Sequence, residues 1–158
     1  MDTRERLGDW EADTVLGKQG TGALVTRAER KSRLYLVKRV SSKKAEVVKE
    51  AILEMLAPYK EYVHSITFDT GGEFAEHNAL AERLNAKTYF AHPYSSWERG
   101  LNENFNGLLR QYIRKGTDLR SVSDDYVAWV EKKLNLRPRK CLGFRQPEVV
   151  FNTLRQAA

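Results

Sequence analysis

The apolar positions of this chain change their period several times, and each change marks an element. Trp10–Leu16 (WEADTVL) reads as a strand running into a Gly17-Lys18-Gln19-Gly20 turn. Gly22–Arg27 and Ser32–Val40 predict two more strands, the second rich in Leu, Tyr and Val. The short Glu29-Arg30-Lys31 link makes the three an antiparallel meander. The period then shifts to 3.6 residues. Val47, Val48, Ala51, Ile52, Met55 and Leu56 form one stripe, with Ser42 as a cap and Pro58 beyond its end. Val63–Phe68 is a short strand closed by the turn Asp69-Thr70-Gly71-Gly72; Phe74–Leu84 is helical and Lys87–Phe90 is a strand.

The longest coherent pattern is Pro93–Lys115. It opens as a loop with a proline, two serines and Gly100, then becomes a helix on which Phe105, Leu108, Leu109, Tyr112 and Ile113 make one apolar stripe. At about 100° per residue, Glu103 points away from Phe105, and Gly107, Arg110 and Arg114 share the Glu103 face. Ser121 and Ser123 precede a helix over Tyr126–Leu134, and Pro147 begins a terminal one. Three antiparallel strands followed by alternating helix and strand predict an α/β fold: a five-stranded mixed sheet flanked by helices, in one domain. There is no internal repeat, low-complexity segment or linker.

Composition narrows the classes. With 41% hydrophobic residues the chain can bury a core. No apolar run approaches the roughly 20 residues of a membrane span, and the start, MDTRERLGDW, is too charged for a secretory signal. A single cysteine, Cys141, excludes an intrachain disulfide and a multi-cysteine zinc site, and fits a reducing cytoplasm. His64, His77 and His92 lie apart, without metal-ligand spacing. The net charge of +6 permits a polyanionic partner, and Arg137–Arg145 (RPRKCLGFR) holds four cations and no acid.

The candidate chemistry lies in three carboxylates. Asp13 is on the first strand and Asp69 follows the fourth; in an α/β layout these strands can be adjacent and parallel. Glu103 starts a helix that can pack on the same sheet. Three converging acids repel one another and call for a cation, Mg²⁺ or Mn²⁺ by their preference for oxygen ligands. Two such ions about 3.5–4 Å apart can clamp the attacking and leaving oxygens of a phosphoryl transfer. Asp9 and Glu11 share the Asp13 face of the strand and compete for the first role, while Glu73 and Glu98 compete less well for the others.

Trp10-Glu11-Ala12-Asp13, Thr67-Phe68-Asp69-Thr70-Gly71-Gly72-Glu73-Phe74 and Gly100-Leu101-Asn102-Glu103 resemble the catalytic segments of DDE transposases and retroviral integrases. Between Asp69 and Glu103 lie 33 residues, close to that superfamily's spacing. HPYSSWERGLNENFNGLLRQYIRKG and LNLRPRKCLGFRQPEVVF resemble transposases of the insertion-sequence-thirty family, and the likeness runs from about Gly8 to Phe151. The resemblance implies a ribonuclease-H-like fold, with Asp13, Asp69 and Glu103 as a catalytic triad binding two divalent ions, Mg²⁺ or Mn²⁺. It implies metal-dependent DNA cleavage and strand transfer in a prokaryotic cytoplasm, with DNA as partner and self-association in the active complex. Family members carry N-terminal DNA-binding helices, so the expectation here is an isolated catalytic core. Thr70 stands where the family often has Asn.

Arg99, Arg110, Arg114 and Lys115 flank this site and suit phosphates, as do Arg137, Arg139 and Lys140 of the basic run. Asn102 and Asn106 suit phosphate or sugar, or else local capping; Tyr94 and Trp97 suit an unpaired base, or else loop packing. Phe68-Asp69-Thr70-Gly71 is also the local signature of aspartic proteases, but one copy does not make their dyad. None of the histidines has the His-x-x-Arg pattern of tyrosine recombinases. Two alternatives stay open: a catalytically silent DNA-binding module of the same fold, and a ribonuclease-H-type nuclease.

Overall fold

The structure, a computed structural model, describes residues 6–68, 72–91 and 100–157, with the backbone alone for 100–103. Five strands, β1 (Asp9–Leu16), β2 (Ala23–Glu29), β3 (Tyr35–Val40), β4 (Ser65–Phe68) and β5 (Lys87–Phe90), form one sheet in the order β3-β2-β1-β4-β5. The meander β1–β2–β3 is antiparallel, and β4 lies parallel to both β1 and β5. The helices are α1 (Ala45–Leu56), α2 (His77–Leu84), α3 (Gly100–Leu109), α4 (Asp124–Asn135) and α5 (Pro147–Ala157). The expected mixed sheet flanked by helices, with its first three strands antiparallel, is therefore the fold observed.

Alternation along β1 divides the molecule into two layers. Trp10 and Ala12 face a core completed by Val48, Ile52 and Leu56 of α1, Leu80 and Leu84 of α2, and Phe151 of α5. Val15 faces the opposite core, with Leu24, Tyr35 and Val37 of the sheet, Phe105 and Leu109 of α3, and Val127, Val130 and Leu134 of α4. The interior strand β2 is buried along its whole length, as strands covered on both faces must be. The edge strand β3 is blunted by α4: Asn135 accepts from the Tyr35 N–H at 2.8 Å and donates to the Tyr35 carbonyl at 2.7 Å, and Glu131 accepts from the Val37 N–H at 2.8 Å. Burial raises the Glu131 pKa, although the Val37 N–H opposes that shift.

Three boundaries depart from the periodicity. The cap of α1 is Lys44, with no side-chain bond, while Ser42 Oγ accepts from the Lys44 N–H instead. Gly72–Phe74 forms a separate 3-10 turn, so α2 starts at His77. Helix α3 ends at Leu109 because its last turn tightens: the Gln111 and Tyr112 N–H groups reach the Leu108 and Leu109 carbonyls, three residues back. The stripe survives this ending, since Ile113 stays in the core. Ser123 caps α4 as its position suggests, accepting from the Tyr126 N–H at 3.0 Å.

Candidate active site

The pairing of β1 with β4 runs from Asp9–Ser65 to Ala12–Phe68. Asp13 is thus one residue beyond the last β4 partner, on the face covered by α3. The three acids of this face have different surroundings. Asp9, 1% exposed, accepts from the Arg6 guanidinium twice at 2.9 Å and from the Ser65 hydroxyl at 2.6 Å. Glu11, also 1% exposed, accepts from Arg30 Nε at 3.1 Å. Both carboxylates are buried and paired with an arginine, Asp9 with the exposed Arg6 and Glu11 with Arg30. Asp13 is half-buried. Its Oδ1 accepts from the Thr14 N–H at 2.8 Å and its Oδ2 from Asn106 Nδ2 at 3.0 Å. Asp13 thus differs from Asp9 and Glu11 in being half-buried, with a backbone N–H on one oxygen and a side-chain amide on the other.

Asn106 is itself fixed. Its Oδ1 accepts from the Tyr35 hydroxyl at 2.8 Å. Burial holds the Tyr35 pKa well above its ordinary value, so the phenol stays a neutral donor. The Tyr35 ring stacks on Phe105, with centroids 4.6 Å apart and planes 10° from parallel. A chain of contacts therefore runs from the edge strand through α3 to the carboxylate on the central strand: Phe105, Tyr35, Asn106, Asp13. Glu103 lies on α3 three residues before Asn106, the separation of near neighbours on one helix face.

Beside this junction opens a cleft of about 690 Å³, between the turn after β1 and the end of α3, with Lys18, Gln19, Arg110 and Lys115 on its walls. Arg110 Nη2 donates to the Leu16 carbonyl at 2.9 Å, and burial lowers the pKa of its guanidinium. Arg114 and Lys115 are exposed in the turn after α3, and Arg137 and Lys140 are exposed in the basic run. Arg139 instead lies over the Phe105 ring, 4.5 Å from its centroid, and burial lowers its pKa. Asp69, Tyr94, Trp97, Arg99 and the alternative acid Glu98 lie outside the described residues, as do the side chains of Asn102 and Glu103. Among the described residues no group of three or more His, Cys, Asp or Glu side chains could hold a metal ion.

Comparison with known proteins gives this geometry a family. No protein-family model matches the chain. The transposase for insertion sequence element IS4351 of Bacteroides fragilis is 44% identical over 154 residues, which are 98% of this chain and 47% of that protein. The probable transposase for insertion-like sequence element IS1161 of Streptococcus salivarius is 40% identical, with 99% of this chain and 45% of that protein covered. The transposase InsI for insertion sequence element IS30A of Escherichia coli K12 is 38% identical, with coverages of 96% and 39%. This chain is homologous to insertion-sequence transposases. It spans about half the length of these curated transposases, or less. Among solved structures, the catalytic core domain of BIV integrase matches with a TM-score of 0.73 at 18% identity, covering 94% of this chain and 96% of that one. A chain of the simian T-cell lymphotropic virus intasome, solved with PP2A regulatory subunit B56 gamma, matches with a TM-score of 0.75 at 16% identity, covering 92% and 54%. The fold is thus ribonuclease-H-like, as in integrase cores. Sequence and fold together place the chain beside the catalytic domains of transposases and integrases.

Two parts of the site are not legible in the sequence, and one weighed candidate, Glu73, is held by partners away from Asp13. Tyr35 sits in a strand that reads as core, and only the fold brings its hydroxyl to Asn106. Lys18 and Gln19 read as an ordinary turn but line the cleft. Glu73 accepts from the Thr14 hydroxyl at 2.7 Å and pairs with Lys43 Nζ at 3.1 Å. Burial opposes its ionisation, yet the bonds from Thr14, its own backbone and Lys43 prevail, leaving its pKa below the ordinary value. The signal for Glu73 was its place four residues after Asp69; its partners are remote in sequence.

The Asn106 bridge has a measurable consequence. Asn106→Ala removes the donor to Asp13 Oδ2 and leaves the Tyr35 hydroxyl without its acceptor. Loss of a group that orients a ligand residue typically costs about 10–100-fold in activity or metal affinity. On the reading of Asp13 as a metal ligand proposed below, a drop of that size in DNA-end cleavage is expected, and Tyr35→Phe should show a smaller drop in the same direction. Cleavage assays on both variants, run beside DNA-binding titrations, would check it; cleavage equal to the parent in Asn106→Ala would remove the bridge from the site.

Proposed function

We propose that this chain is a DDE transposase catalytic core that cuts one DNA strand and joins the new end to target DNA, using Asp13, Asp69 and Glu103. The observation that carries this reading is the Asp13–Asn106 hydrogen bond at 3.0 Å. It fastens α3, the helix of Glu103, to the half-buried carboxylate of β1, one residue past the last β1–β4 pair. The half-buried carboxylate of Asp13 is a hard oxygen donor and fits Mg²⁺ or Mn²⁺. One or two such ions, when bound, would polarise the scissile phosphate and supply a nucleophilic oxygen at neutral pH.

The chain's own residues do the remaining work. Asn106 holds Asp13 in one orientation through a fixed amide, and the buried Tyr35 hydroxyl holds the amide. In the first reaction, a water oxygen forms a bond to phosphorus and the bond from phosphorus to the 3′ oxygen breaks, freeing a 3′-hydroxyl. In the second, that hydroxyl attacks a phosphodiester of the target, and the target strand's own 3′ oxygen leaves. Neither step needs a covalent enzyme intermediate. Arg110 and Lys115 hold neighbouring phosphates along the cleft, and the exposed Arg114, Arg137 and Lys140 supply further phosphate contacts. The DNA partners and an assembly of several copies belong to this proposal, by likeness to the named intasome and transposases. Among the described residues no helix is long and apolar enough to cross a membrane.

Binding by this chain is expected to be sequence-tolerant and salt-sensitive, since phosphate contacts dominate. Arg110→Ala is expected to weaken binding to unrelated duplexes about equally and to lower the salt slope by about 1. Its bond to the Leu16 carbonyl lies at an exposed surface, so the melting temperature should move little. Titrations of several duplexes at two salt concentrations test this. The proposed function as a whole is tested by metal-dependent cleavage of a labelled DNA end. Binding without cleavage at any Mg²⁺ or Mn²⁺ concentration would favour the catalytically silent module instead.

A further inference from the structure

Phe144 is the most exposed large apolar side chain among the described residues, with 70% of its surface in water. Its backbone has φ +65°, a left-handed conformation that glycine accepts and a bulky side chain resists. The residue before it, Gly143, has the same φ. The chain therefore holds an aromatic ring out into solvent, on backbone better suited to glycine. Such outliers point to a use for the residue.

The loop that presents the ring is built firmly. The Phe144 N–H donates to the Arg139 carbonyl at 2.8 Å, and the Arg139 N–H to the Arg145 carbonyl at 3.0 Å. Arg145 Nε donates to the Leu142 carbonyl at 3.0 Å. Leu142 is buried, and Arg139 rests on Phe105, the neighbour of Asn106. The loop is thus docked one residue along α3 from the group that holds Asp13.

The charge around the ring selects its partner. Arg137, Lys140 and Arg145 are exposed, and no acid occurs between Arg137 and Gln146. A second copy of this chain meeting the loop with its own would oppose cation to cation. The partner that fits is a polyanion with flat apolar faces. We propose that Phe144 stacks on an unpaired nucleobase of the bound DNA, beside the strand being cut, while the surrounding cations hold the flanking phosphates. This rests on the proposed function, because it takes DNA as the substrate. It adds a residue that grips a base and takes no part in the chemistry.

The test uses the whole chain and two duplexes of equal length, one fully paired and one carrying an unpaired 2-aminopurine at its end. The parent is expected to bind both and to change the 2-aminopurine fluorescence by stacking. Phe144→Gly should bind the unpaired-base duplex about tenfold to a hundredfold more weakly, the worth of one base–aromatic stack. It should lose the fluorescence response and keep its affinity for the paired duplex and its salt dependence. Because φ +65° suits glycine, its melting temperature should equal or exceed the parent's, which separates lost stacking from lost folding. Phe144→Trp should keep the response. Equal affinity of parent and Phe144→Gly for the unpaired-base duplex would overturn the proposal while leaving the proposed function standing. So would equal weakening on both duplexes, or an effect on self-association alone. A parent that binds neither duplex would overturn both.

Discussion

Asp13→Asn is expected to reduce DNA-end cleavage and strand joining to background while DNA binding stays within a few-fold of the parent. The substitution keeps the shape of the side chain and an oxygen to accept from the Thr14 N–H, which lies 2.8 Å from Oδ1 in the parent. What it removes is the negative charge, and with it a ligand for a hard cation. No cation of the DNA surface is touched, so phosphate contacts persist. The fold should persist as well, because Asp13 is half-buried and belongs to neither hydrophobic core. One of the two donors that Asp13 accepts from, the Thr14 N–H or Asn106 Nδ2, then meets an NH2 group, so a small fall in melting temperature is expected. Glu103→Gln is expected to behave alike. The measurement compares cleavage of a labelled end, duplex affinity and melting temperature for both variants in the full-length protein. Cleavage at the parent rate by Asp13→Asn would return the first role to Glu11 or Asp9; the same result for Glu103→Gln would pass the third role to Glu98.

Much of this architecture could be read before any coordinates. The meander and the alternating helices followed from period and link length, because these are local properties; the adjacency of the first and fourth strands was only allowed by an α/β layout and depends on pairing between distant segments. The choice among Asp9, Glu11 and Asp13 could not be made that way. A period of two puts all three on one face, and what separates them is their partners: Arg6 and Ser65 for Asp9, Arg30 for Glu11. Arg139 shows the same limit. The run Arg137–Arg145 reads as a uniform basic strip, yet Arg139 is turned in against Phe105, 34 residues earlier, and its neighbours Arg137 and Lys140 stay exposed. The end of α3 was missed for another reason. Tyr112 and Ile113 continue the apolar stripe, so hydrophobicity alone extends the helix, whereas the backbone tightens after Leu109 and still delivers Ile113 to the core.

Phe105→Ala is expected to be the most destabilising single change in the site. The ring is fully buried, stacked on Tyr35 at 4.6 Å and covered by the Arg139 guanidinium at 4.5 Å. Removing a buried phenyl group costs about 3–5 kcal/mol, from lost transfer energy and the cavity left behind. For a domain of this size, about 2–4 °C per kcal/mol translates that into a fall of roughly 6–20 °C in melting temperature. The ring also sets the place of Tyr35, and through its hydroxyl the orientation of Asn106 and Asp13. Cleavage should therefore fall further than the loss of folded protein explains, even well below the melting transition. Leu109→Ala is the control: Leu109 is equally buried, on the same helix and in the same core, but takes part in neither the ring stack nor the hydrogen bonds that run from Phe105 to Asp13. It should cost about 2–5 kcal/mol and leave cleavage per folded molecule near the parent value. Thermal melts give the first quantity, and cleavage rates at low temperature, normalised to folded protein, give the second. If the two variants lose cleavage in the same proportion to stability, Phe105 supports the fold alone and the positioning of Asp13 does not run through it.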